Sequence, residues 1–123
     1  MPEPRKLSAY FVNNTKPAPS GKRDFYWDAD VPGLALRVTD TGHRSWVVQR
    51  RLAGEMKRWT LAPYIPAAKD DPDLEGTLAW ARERARSMLG DIARGVDPAI
   101  QQRREQREAA RQQAGTLRTV VGQ

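Results

Sequence analysis

Between residues 34 and 61 the chain alternates apolar and polar side chains with a period of two, interrupted twice by turn-forming residues, and this pattern limits it to a small antiparallel meander. Leu34, Leu36 and Val38 share one face, while Ala35, Arg37 and Thr39 share the other. Asp40-Thr41-Gly42 supplies a hairpin turn, Ser45 to Leu52 a second strand, Ala53-Gly54-Glu55 another turn, and Lys57 to Leu61 a third strand. Every strand has one apolar face that needs cover.

The cover is found downstream. After a loop from Ala62 to Gly76 rich in proline and acid, Thr77 is placed to cap a helix that ends at Gly95. In it Leu78, Ala81, Ala85, Met88, Leu89 and Ile92 fall on one stripe. Trp80 lies off that stripe, which fits cover by the proline-rich loop or, second, an exposed contact for another domain, whereas Trp27, Trp46 and Trp59 fall on or near the core parity. Upstream, Leu7, Tyr10 and Phe11 have helical spacing, and Phe25 to Trp27 leaves room for an extra short strand. Asp97-Pro98 opens a helix that is polar on every side from Gln101 to Gln113, which predicts an exposed linker. Gly115-Thr116 is expected to stop it before a fresh apolar pattern begins. The predicted fold is therefore α+β: a three-stranded antiparallel sheet on one helix, over residues 1–96, then a linker over 97–115 and a stub of another domain over 116–123.

Charge narrows the partners. Lys plus Arg number 21 against 15 acids, for a net charge of +6, and sixteen of the basic residues are arginine. That balance favours a polyanion over an acidic small molecule. With one histidine, His43, and no cysteine, a zinc site or disulfide framework cannot be assembled. No nucleophile stands beside a base and no glycine-rich phosphate cradle appears, so no enzymatic activity, metal, cofactor or small-molecule substrate is expected. The Asp70, Asp71, Asp73 and Glu75 run reads as a solvated tether more readily than as a cation site. No apolar run or signal-type leader is present, so a cytoplasmic chain without membrane contact is expected.

The uncovered face of the sheet carries Arg37, Gln49, Arg51, Arg58 and Thr60 without an acid among them. A sheet of this width enters the DNA major groove, where Arg grips guanine, Gln pairs with adenine and Thr meets phosphate or the thymine methyl. Arg44, Arg50 and Lys57 flank the hairpins where phosphates would pass. A plain solvated polar face fits the same pattern, as do a protein-docking surface and double-stranded RNA binding.

Phe25-Tyr26-Trp27-Asp28-Ala29-Asp30-Val31-Pro32-Gly33-Leu34-Ala35-Leu36-Arg37-Val38, followed by Gly42-His43-Arg44-Ser45-Trp46-Val47-Val48-Gln49, resembles the amino-terminal domain of phage and prophage integrases of the tyrosine recombinase class. The likeness continues through Arg58-Trp59-Thr60-Leu61, Ala81-Arg82-Glu83-Arg84-Ala85-Arg86 and Gly95-Val96-Asp97-Pro98. It implies sequence-selective binding of duplex arm sites in attachment DNA, alongside other integrase subunits. Thr116 to Val121 then looks like the start of the core-binding domain, and the catalytic domain would lie beyond Gln123. Tyr10, Tyr26 and Tyr64 are accordingly not its nucleophile, and this chain is not expected to cleave DNA. Two departures stand out: Leu61-Ala62-Pro63-Tyr64 replaces the family's usual glycine and basic residue, and Trp80 stands where an acid is common.

Overall fold

The computed structural model describes residues 3–66 and 69–121, the last nine of these by their backbone alone. Helix α1 (Ala9–Asn13) precedes strands β1 (Arg23–Trp27), β2 (Leu34–Thr39), β3 (Arg44–Leu52) and β4 (Glu55–Pro63), and helices α2 (Leu78–Ala93) and α3 (Pro98–Val121) follow. The four strands form one antiparallel sheet in the order β1-β2-β3-β4. It is one strand wider than the expected three, because β1 pairs along its whole length with β2, from Arg23 opposite Thr39 to Trp27 opposite Ala35.

Turn chemistry fixes the register. Ala53 and Gly54 both take positive φ, 53° and 82°, so the second hairpin closes in two residues and Glu55 pairs with Leu52 as part of β4. The register shifts between Trp46 and Val47, where Leu61 is the additional residue of β4. Pairing from Val47 to Leu52 is regular, so the alternation that places Gln49 opposite Arg58 is preserved.

The core lies between one sheet face and α2. Leu34, Leu36, Val38, Trp46 and Val48 pack with Leu78, Ala81 and Ala85, and Leu7, Val12 and Val31 close the cluster. The alanines of α2 let its backbone approach the sheet where the large Trp46 projects from it. Thr77 caps the helix by accepting from the Trp80 N–H at 3.2 Å. At the other end Gly95, at φ +77°, donates to the Ile92 carbonyl while Val96 donates to Asp91, each at 2.9 Å. At the amino terminus the helix is shorter than the spacing suggested: Leu7 precedes it, so Tyr10 leaves the stripe and is 80% exposed while Val12 is buried.

Two carboxylates tie the outer segments down. Asp28, fully buried, accepts from the Leu7, Asp30 and Val31 amides and from Arg82 Nε at 3.0 Å, so α2, the β1–β2 loop and the lead-in segment meet at one group. Burial raises the cost of its charge, but Arg82 and the amides more than offset this and hold its carboxyl below the usual range. Asp97 caps α3 through the Ala99 N–H at 2.9 Å and also accepts from Lys57 Nζ and Trp59 Nε1, both at 3.3 Å.

Helix α3 departs from expectation. It runs through Gly115 to Val121 without a stop. A single glycine costs a helix about 1 kcal/mol relative to alanine, too little to end one flanked by good helix formers. The expected stub at 116–123 falls within this helix up to Val121, and its last two residues lie outside the described part.

Candidate nucleic-acid interface

Register assigns the other sheet face without ambiguity. Across the strands it carries Arg23, Phe25 and Trp27 from β1, Ala35, Arg37 and Thr39 from β2, Ser45, Val47, Gln49 and Arg51 from β3, and Met56, Arg58 and Thr60 from β4. All five residues expected at base edges, Arg37, Gln49, Arg51, Arg58 and Thr60, are therefore together on the side away from α2. Parity alone was enough to group them.

The floor of this face is built from small side chains. Ala35 and Val47 are 0% exposed and Ser45 only 1%, although none of them faces the helix. Larger neighbours shield them. Phe25 and Trp27 stack with centroids 6.1 Å apart, and the Arg58 guanidinium reaches across from β4 to lie 4.5 Å over the Phe25 ring on β1. Together with Arg23, Asp24, Tyr26 and Gln49 these residues line a recess of about 420 Å³.

The arginines are positioned by side chains on the neighbouring strand. Arg58 donates through Nε at 3.0 Å and Nη2 at 2.7 Å to the same Gln49 Oε1. Arg37 donates through Nε to Ser45 Oγ at 3.3 Å. Its pKa is drawn below the ordinary arginine value by burial and then by the positive charges of Arg23 and Arg58. Among the described residues, Arg23, Arg37, Arg51 and Arg58 form no ion pair with an acid. The face thus concentrates positive charge that no ion pair among the described residues engages, with Asp24 the acid among the residues lining its recess.

Arg44, Arg50 and Lys57, expected near phosphates, carry the opposite parity and are used in the fold. Arg44 donates from Nε and Nη2 to the hydroxyl and carbonyl of Thr15, at 2.8 and 2.9 Å. Arg50 Nη2 donates to the Pro32 carbonyl at 2.6 Å, and Lys57 pairs with Asp97. Conversely, Arg23, Phe25 and Trp27 belong to the open face and were not selected from the sequence. Trp27 in particular was expected on the core parity; the core position in β1 is taken by Tyr26, which meets Phe11 edge-on at 5.3 Å. The alternation of Phe25, Tyr26 and Trp27 against Leu36 and Ala35 is the signal that would have found them.

Elsewhere the acidic loop is organised. Asp70 accepts from the Ala79 N–H at 2.8 Å, at the amino end of α2 where a negative charge is favoured, and Asp71 accepts from Asp73 at 2.9 Å. Gly76, at φ +99°, presents its carbonyl to Trp46 Nε1 at 2.7 Å. A Cβ there would stand 2.6 Å from the Pro63 carbonyl oxygen, so the position needs glycine. Trp80 is half-buried beside Pro72 and Asp73. Among the described residues no group of three His, Cys, Asp or Glu side chains could hold a metal, and no helix is long and apolar enough to cross a membrane.

Comparison with known proteins matches residues 7–106 to the family described as the arm DNA-binding domain. The chain is also similar to prophage integrase IntF of Escherichia coli (strain K12), with 36% identity over 104 residues. That match covers 84% of this chain and 20% of the integrase, so the chain spans about a fifth of the length of this relative.

Proposed function

The chain belongs to the arm DNA-binding domain family, and from that premise we propose that it binds duplex DNA through the open face of its sheet, in the service of site-specific integration. One observation carries the proposal: Arg23, Arg37 and Arg58 share a single sheet face, and among the described residues none of them is paired with an acid. Like charges held together repel, and binding a polyanion relieves that repulsion.

In this reading Arg37, Gln49, Arg51, Arg58 and Thr60 face the bases in a major groove, and the targets are arm sites of attachment DNA. Arg23 takes a phosphate at the β1 rim. Arg50 and Lys57 each keep free donors and meet phosphates at the hairpin rim, whereas Arg44, half-buried and bonded through Nε and Nη2 to Thr15, is assigned to the fold. Strand exchange would belong to other parts of the whole protein, acting with further integrase subunits in the cytoplasm. Cutting and rejoining DNA is not assigned to the residues described.

The test is a binding titration with arm-site duplex, unrelated duplex DNA and duplex RNA of matching sequence across a range of salt. With about five phosphate contacts, log affinity for the arm duplex falls against log salt with a slope near −4.5. Equal affinity for all three duplexes, or a complex insensitive to salt, would refute the proposal.

A further inference from the structure

The bond between Arg58 and Gln49 restricts what either side chain can recognise. Arginine has only donors, so the amide atom facing it has to be the oxygen, and this fixes the orientation of the Gln49 amide. Both donations from Arg58 converge on Oε1, at 3.0 and 2.7 Å, and occupy its two lone pairs. What Gln49 still offers is Nε2, two hydrogens and no acceptor.

Glutamine reads adenine by accepting from N6–H with its oxygen while donating to N7 with its nitrogen. With the oxygen engaged, that pairing is closed. Arg58 has meanwhile used Nε and one Nη2 hydrogen, which leaves the terminal Nη1/Nη2 edge with two parallel donors. Its guanidinium plane is held 4.5 Å over Phe25, so the free edge is presented in one orientation rather than searching several. Two parallel donors match the O6 and N7 acceptors of guanine.

We propose that Gln49 and Arg58 form a single donor-only reading unit selecting guanine, with Gln49 acting as the positioning residue for Arg58 and not as an adenine reader. The inference rests on duplex DNA binding through this face and adds the base at which the pair acts. It replaces the adenine contact that glutamine alone would suggest.

The experiment is selection from a library of randomised duplexes, followed by affinity measurements on the selected sequence. The intact protein selects guanine at one position whose preference disappears in Arg58→Ala. Guanine is favoured there over adenine by about 5- to 150-fold, the range of a good bidentate contact. Replacing that base by 7-deazaguanine, which lacks the N7 acceptor, weakens the parent and leaves Arg58→Ala unaffected. Gln49→Met lowers the guanine preference at least about fivefold, and Gln49→Glu, which again offers Arg58 an acceptor, restores the preference. A loss of structure would show as an altered unfolding transition and would not be rescued by glutamate. Adenine at the position governed by Gln49, or a guanine preference untouched by Gln49→Met, overturns this inference and leaves DNA binding standing. Failure to bind any duplex overturns both.

Discussion

The two faces of this sheet treat the same residue type in opposite ways. On the covered side Arg82 is 15% exposed and pairs with the fully buried Asp28, and Arg44 is bonded to Thr15, so each guanidinium joins segments that are distant in sequence. On the open side Arg37 and Arg58 are held only by neutral partners, Ser45 and Gln49, which orient the side chain without cancelling its charge. Arginine identity therefore says little about role. The face it lies on and the partner it meets together decide whether a guanidinium joins segments of the fold or is kept for a ligand.

The largest effect should come from breaking the covered side. Arg82→Met strands the Asp28 carboxylate without its cation, and unfolding in urea should show a loss of about 3–5 kcal/mol. Duplex affinity, measured where the variant remains folded, should be unchanged. The open side gives the converse. Arg58→Ala or Arg37→Ala should weaken arm-duplex binding by about 1–3 kcal/mol while unfolding free energy stays within about 0.5 kcal/mol of the parent.

A paired comparison sharpens the contrast further. Arg44→Ala should cost about 1 kcal/mol of stability through its lost bonds to Thr15 and leave the salt slope of DNA binding as it was. Arg51→Ala should do the reverse if Arg51 meets a phosphate beside its base contact, lowering the slope by about 0.9 with little change in stability. Were Arg44→Ala to lower the slope instead, the division between the faces would fail at its edge.

The smallest effect concerns acid. The Asp28 and Asp97 carboxyls are both held below their ordinary value of 3.8; burial opposes this at each, and is outweighed by Arg82 at Asp28 and by the Ala99 amide, Lys57 and Trp59 at Asp97. A carboxyl depressed on folding contributes stability that is fully present above its unfolded pKa and is lost as pH falls through its folded one. Unfolding free energy should therefore hold above about pH 4 and decline below it. Asp97→Asn should make that decline shallower, and an unchanged acid limb would remove Asp97 from the account.

Much of this was legible beforehand, for identifiable reasons. The alternation in β2 and β3, the stripe on α2 and its Thr77 and Gly95 ends are local signals, each complete within a few residues. The grouping of Arg37, Gln49, Arg51, Arg58 and Thr60 followed from parity, which antiparallel pairing carries across strands. Not legible were the positions of Phe25 and Trp27, whose side of the sheet depends on how β1 pairs with β2, and the length of α3, because a single glycine does not stop a helix.

By itself, then, the chain determined which residues alternate, where the turns and caps fall, and that a basic face would be left uncovered, since these depend on neighbours in sequence. Tertiary structure alone decided which arginines are used to join segments of the fold. That choice rests on contacts such as Arg82 with Asp28 and Arg44 with Thr15, 54 and 29 residues apart, which form only when folding brings the separated groups within hydrogen-bonding distance.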